Sequence, residues 1–196
     1  MIQDIIRKTR TVRKFQGEIK ISQEILLDLV DLARLGGSAR NRQPLCYMLI
    51  TASEQCEEIF PLLGWAGYLS DWPGPEAGER PVAYILCLLD TKRCEEPENE
   101  VYIDLGIASQ NILLGAAERG IFGCRIGAFS KDAIGRSLDL ENRYKPLLVL
   151  ALGYPAEEVV LEEMEHDGDI RYWRDGDGVH HVPKRRLSEI VLVPGS

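Results

Sequence analysis

Asn99-Glu-Val-Tyr-Ile-Asp-Leu-Gly-Ile-Ala-Ser-Gln-Asn-Ile-Leu-Leu-Gly-Ala-Ala-Glu-Arg-Gly120 is the stretch on which the fold turns. Its length and spacing predict the longest helix of the chain over 99–119, with Gly120 closing it. At 100° per residue, Glu100, Asp104, Asn111 and Glu118 share a stripe roughly 40° wide, and nearly all the rest is apolar or small. A helix so apolar belongs in the middle of the protein or between two copies of it. Immediately beyond it, 121–126 is an apolar run of strand length, and 82–89 and 147–152 are two more. With 46–50 they predict three or four strands of one sheet.

Outward from this centre, 22–35 has helical spacing at Ile25, Leu26, Leu29, Val30 and Ala33, with Ser22 as N-cap and Gly36-Gly37 as a left-handed stop. A short amphipathic helix opens the chain at 1–8, another helix is expected over 53–63, and 69–81 reads as a loop. Asp175-Gly-Asp-Gly178 between two strand-like runs signals a hairpin, and the apolar tail 187–193 is expected to add a strand, with another subunit as one candidate to receive it. The order of elements predicts an α+β fold, a mixed central sheet with helices on both faces, as one domain over 1–196.

Composition narrows the function. The chain has 196 residues, 45% hydrophobic and 28% charged, and a net charge of −8. An acidic surface disfavours nucleic acid and anionic membranes, and no apolar run is long enough to span a bilayer. Five cysteines without C-x-x-C spacing predict reduced thiols, and with no signal-peptide pattern a cytoplasmic protein. G-x-G-x-x-G, Walker, H-E-x-x-H and G-x-S-x-G motifs are absent, and no metal site is expected. His180 and His181 are adjacent in a strand arm and face opposite ways, so a solvated hairpin is their expected place.

Against that acidic background Arg7, Lys8, Arg10, Arg13 and Lys14 crowd together, and so do Lys184, Arg185 and Arg186. Such runs are commonly solvated faces. In an extended chain, however, Thr11 and Arg13 point the same way, and a hydroxyl beside a guanidinium fork suits a phosphate. Asn41 and Gln43, in the loop Ser38-Ala-Arg-Asn-Arg-Gln-Pro44, offer amides able to read the edge of a heterocycle. Glycines in Gly120-Ile-Phe-Gly-Cys-Arg-Ile-Gly-Ala-Phe129 suit either a tight helix-to-strand connection or the close approach of a flat ligand.

Together these segments resemble the FMN-dependent nitroreductase family. Thr9-Arg-Thr-Val-Arg-Lys-Phe15 is similar to its opening R-R-S-x-R-x-F pattern, and Gly37 to Pro44 to P-S-A-x-N-x-Q-P. Gly120 to Phe129 follows G-L-G-x-C-W-I-G-G-F, and Val182 to Val191 follows V-P-K-R-x-L-x-E-I-V. The resemblance implies an intertwined homodimer with FMN at the subunit interface. It places Arg10, Thr11 and Arg13 on the phosphate, with Lys184 or Arg185 assisting. Ser38, Ala39, Asn41 and Gln43 would reach the flavin from the partner, and Ile126 and Gly127 would lie along it. It further implies NADH or NADPH as electron donor and reduction of a small-molecule acceptor (nitroaromatic, quinone or flavin-like) by ping-pong hydride transfer, with no identified catalytic side chain. Same-fold alternatives are reductive dehalogenation and flavin cleavage; outside the family stands a non-enzymatic phosphate-ligand protein. Thr9, Gly37 and Arg125 depart from the family pattern, Arg125 standing where an aromatic is frequent. Trp65, Tyr68 and Trp72, in the segment 64–75, and Arg125 are the candidates for the substrate pocket, although core packing is an equal reading for each aromatic.

Overall fold

Every residue of the strand Ala83–Asp90 is buried, and its alternation divides the molecule into two layers. Ala83, Ile85, Cys87 and Leu89 enter one apolar cluster, while Tyr84, Leu86 and Leu88 enter another, as the two-residue repeat of a strand dictates. The computed structural model describes residues 1–69, 71–165 and 168–194; Ser70 of the 64–75 segment and His166 therefore lie outside the described residues. Its elements are α1 (Ile2–Lys8), α2 (Gln23–Arg34), β1 (Leu45–Ile50), α3 (Ser53–Ile59), β2 (Ala83–Asp90), α4 (Asn99–Glu118) and β3 (Phe122–Ile126). There follow α5 (Lys131–Ser137), β4 (Tyr144–Gly153), β5 (Val159–Glu163), β6 (Trp173–Arg174), β7 (His180–Lys184) and α6 (Leu187–Ile190).

Leu26 and Leu29 of α2 and Leu105, Ala108, Ile112 and Ala116 of α4 fill the first cluster. Cys56 and Ile59 of α3 and Ile134 of α5 fill the second. Helices thus cover both faces, as expected. The mixed central sheet does not hold: the strand order is β1-β2-β4-β3 and every ladder is antiparallel. As a crossover, α4 does join two strands of the same direction, β2 and β3, but β4 is inserted between them and pairs antiparallel with both. Among the described residues, parallel pairing occurs at the Thr11–Gly123 bridge and between β5 and β7 of a small second sheet, ordered β5-β7-β6.

Three local expectations are corrected. Gly36 and Gly37 are not left-handed; Gly36 is needed for contact, because a Cβ there would stand 2.9 Å from Asn111 Nδ2 and 3.1 Å from Ile107 Cγ2. The tail is not a strand: α6 forms a single turn in which the Arg186 N–H donates to Glu189 Oε2, and the apolar residues from Leu187 to Val193 remain exposed. On α4 the polar stripe is turned partly inward. Asp104 is buried and Asn111 donates to the Leu32 carbonyl, while Tyr102, Ile103 and Ile107 face outward. The reason is that the stripe finds polar partners in α2 and the 38–43 loop. The Asp175 hairpin forms, with Asp175 Oδ1 accepting from the Asp177 and Val179 N–H groups and Gly178 left-handed. All five cysteines are free. Among the described residues no helix is long and apolar enough to cross a membrane.

Candidate functional site

Residues 9–16 run extended beside the edge strand β3. The Val12 N–H donates to the Gly123 carbonyl at 3.2 Å, and Lys14 accepts from the Ala156 N–H at 2.8 Å. Glycine at 123 is needed for the packing of β3 on β4 and α4, since a Cβ there would lie 2.5 Å from the Ala151 carbonyl oxygen and 3.2 Å from Leu113 Cδ2. Val12 is buried, so Thr11 and Arg13 face the other way, and both line a cavity of about 300 Å³. Arg10, Arg125 and Lys184 line it too, with Gln110, Tyr172 and His180. Members of the two basic clusters, Arg10 and Arg13 from one end of the sequence and Lys184 from the other, therefore converge. Among the described residues four cations line this cavity and no carboxylate does, in a chain whose net charge is −8.

Among the described residues, the three arginines are held by neighbours that carry no negative charge. Arg10 donates one Nη2–H to the Ile6 carbonyl at 2.8 Å. Arg125 donates to Ser109 Oγ at 2.9 Å and Gln110 Oε1 at 2.7 Å. Burial lowers both guanidinium groups from their ordinary value. Arg13 lies over the Tyr172 ring and donates toward His180 Nε2 at 3.3 Å. The Nε atoms of Arg10 and Arg13 are buried and, among the described residues, have no hydrogen-bond partner. Buried donors on unpaired cations are costly until an anion meets them. The arrangement fits a small phosphorylated ligand, with the Thr11 hydroxyl beside the guanidinium groups.

Other expected site residues lie elsewhere in the single chain. Arg185 is exposed and does not line the cavity, because neighbours in an extended chain face opposite ways; Arg186 pairs with Glu163 at 2.8 Å. The Ile126 side chain enters the cluster beneath α3 and α5, whereas Gly127 has open space where a Cβ would stand. Trp65, Tyr68 and Trp72 do not line the cavity. Trp65 packs on Phe60 and Trp72, Trp72 lies under Arg174, and Tyr68 meets the site only through Tyr172, with ring centroids 5.1 Å apart. Ser38 and Gln43 line a separate cavity of about 300 Å³ with Tyr47, Arg93 and Asp104; Ala39 and Asn41 do not.

The 38–43 loop is held in an unusual conformation. Arg40, Asn41 and Gln43 all have left-handed backbones. Asp104 Oδ2 accepts from Ser38 Oγ at 2.6 Å and Oδ1 from the Ala39 N–H at 2.8 Å, while Ser38 Oγ accepts from the Gln43 N–H at 2.9 Å. Sequence reading missed this role of Asp104, and also Glu157, Tyr172, Gln110 and His180. Glu157 is almost wholly buried and accepts from the Arg13 and Lys14 N–H groups and from Arg174 Nη2. His180 is not solvated as expected. It is 1% exposed, and burial, with the Arg13 charge, pushes its imidazolium down to about 4. A signal for it existed: His180, Val182 and Lys184 share one face of β7, and all three line the cavity.

Residues 6–154 match the Nitroreductase family. The chain belongs to that family. A Methanothermobacter thermautotrophicus relative, provisionally named NADH dehydrogenase/NAD(P)H nitroreductase, is 29% identical over 80% of this chain and 78% of its own. A crystal structure of a provisionally named nitroreductase from Exiguobacterium sibiricum, in complex with FMN, is similar with a TM-score of 0.68 and 21% identity, over 89% of this chain and 97% of that one. The NADPH:FMN oxidoreductase of Vibrio harveyi, complexed with NAD+, has a TM-score of 0.61 and 22% identity, over 79% and 69%. These two likenesses establish a common fold. The family match ends at Tyr154, so the strands β5, β6 and β7 of this nitroreductase-family chain lie beyond it.

Proposed function

We propose that this nitroreductase-family chain is an NAD(P)H-dependent FMN oxidoreductase that reduces a small oxidised acceptor, a nitroaromatic, quinone or flavin-like molecule, in a ping-pong cycle. The observation that carries the reading is the cavity lined, among the described residues, by four cations and no carboxylate. When bound, FMN supplies the hydride chemistry between nicotinamide and acceptor, and the protein supplies position and charge. Arg10, Thr11, Arg13 and Lys184 hold the phosphate in this reading. Arg125 lends positive charge beside the cofactor, and the backbone at Ile126 and Gly127 lies along it. Ser38, Ala39, Asn41 and Gln43 of a second copy complete the site.

That last assignment makes the enzyme a homodimer, with 1–196 acting as one domain. Its support is the outward apolar side of α4 at Tyr102, Ile103 and Ile107, the exposed apolar tail, and the free edge of β1. The experiment is a fluorescence titration of the flavin-free protein with FMN and with riboflavin, followed by anaerobic oxidation of NADH and NADPH. FMN is expected to bind more tightly than riboflavin. Arg13→Ala should weaken FMN alone by about 1.5–3 kcal/mol, the contribution of a charge-assisted hydrogen bond. Unchanged FMN affinity in Arg13→Ala, or no FMN binding by the parent protein, would overturn the proposal.

A further inference from the structure

The buried His180 is a titratable group of the cavity that the reading above leaves without a task. It comes from β7, outside the family match. Its backbone N–H donates to the Glu158 carbonyl at 2.9 Å, its ring lies 5.2 Å from Tyr172, and its cross-strand neighbour is Arg174. Nε2 faces Arg13 Nη1 at 3.3 Å. A guanidinium has only protons to offer, so Nε2 must be the acceptor and the ring proton must sit on Nδ1. The charged groups around the ring are Arg13, Glu157, Arg174 and His181, and the neutral imidazole follows from burial in company with Arg13. The Nδ1 atom is buried and, among the described residues, has no hydrogen-bond partner. Like the Nε atoms of Arg10 and Arg13, it is an orphaned donor on a residue that lines the cavity.

We infer that His180 is a phosphate ligand: its Nδ1–H donates to the anion in the cavity while Nε2 accepts from Arg13 and fixes the tautomer. The inference rests on the FMN reading and adds a neutral donor to the four cations. A terminal phosphate has three free oxygens to satisfy, and a neutral N–H contributes to that without further mutual repulsion among the cations.

Two variants separate this role from a structural one. The amide of Asn reaches where imidazole Nδ1 stands, and that of Gln where Nε2 stands. His180→Asn therefore keeps a donor for the anion, and His180→Gln keeps an acceptor for Arg13. In titrations with FMN and riboflavin, His180→Gln is expected to lose about tenfold or more in FMN affinity, with riboflavin unchanged. His180→Asn should retain most of the FMN preference. Full FMN affinity in His180→Gln with loss in His180→Asn would overturn the inference, since His180 would then only prop Arg13. Parent protein that binds riboflavin as tightly as FMN would instead refute the phosphate cavity itself. Proton NMR of the parent protein gives an independent reading. The Nδ1–H resonance is expected to move downfield with FMN and to stay in place with riboflavin, and its failure to respond to FMN overturns the inference whatever the variants do.

Discussion

Replacing Asp104 by alanine sets two quantities of similar size against each other. The carboxylate, 4% exposed, accepts from the Ser38 hydroxyl and the Ala39 N–H. Hydrogen bonds to a charged group contribute about 1.5–3 kcal/mol each, about 3–6 kcal/mol for the pair. Opposing them are three non-glycine residues with φ of 52°, 53° and 49° at Arg40, Asn41 and Gln43. Each costs of the order of 1 kcal/mol, so the loop stores about 3 kcal/mol of strain. With the carboxylate gone the loop should relax and release that strain. Global stability then falls by only about 0–3 kcal/mol, while the local structure is lost. The assay is amide hydrogen exchange at Ala39 and Gln43, the two N–H groups bonded to Asp104 and Ser38 Oγ, with urea unfolding alongside. Both amides should lose protection in Asp104→Ala, and adding Arg40→Gly should restore about fivefold by easing one left-handed residue. Asp104→Asn, which keeps an acceptor for Ala39, should fall between. Wild-type exchange in Asp104→Ala would mean that the loop holds itself, and the role given to Asp104 would be wrong.

The adjacent histidines should give opposite pH dependences. His180, lowered from 6.5 to about 4, refuses a proton that the unfolded chain accepts, so its contribution is intact above pH 6.5 and falls by at most about 3 kcal/mol as pH drops to about 4. His181 is raised by Glu162 and Asp175, so its contribution is complete below the unfolded value and disappears as pH rises through the folded one; urea midpoints from about pH 4 to 8 should therefore show His181→Gln losing stability on the acid side and His180→Asn losing less of it there than the parent. Gly153→Ala should cost about 1–3 kcal/mol in urea unfolding, because its Cβ would stand 2.6 Å from Cδ1 of the fully buried Phe15; an unchanged midpoint would show that Phe15 can move aside.

How far the sequence could be read depended on whether a residue's partner was local. The buried strand at 82–89, the long helix ended by Gly120 and the Asp175 hairpin follow from periodicity and turn chemistry, which act within a few residues. The pairing direction of the central sheet does not, because it depends on β4 entering between β2 and β3 from later in the chain. Asp104 was legible as a polar residue on an apolar helix, but its partners at Ser38 and Ala39 are more than sixty residues away. Arg10, Thr11, Arg13 and Lys184 were legible because clustered charge in an acidic chain is conspicuous and strand alternation says which residues share a face. The same alternation, applied to 180–184, sets His180 on the face of Lys184, a pairing that the expectation of a solvated hairpin passed over. Glu157 carried no signal: it is one of two adjacent glutamates, and only the register beside the N-terminal segment decides which turns inward.

Glu157 also explains how four cations persist beside a buried carboxylate. An acid that paired with the Arg13 guanidinium would cancel the charge that makes the cavity attractive to an anion. Glu157 instead accepts from the backbone N–H groups of Arg13 and Lys14, and its ion pair is with Arg174, outside the cavity lining. The carboxylate therefore fixes the direction of the N-terminal segment, and with it the Arg13 side chain, without neutralising that side chain. The chain's remaining acidic charge works in the same sense: it repels extended polyanions from the outer surface and leaves this cavity of about 300 Å³ as a locally cationic place.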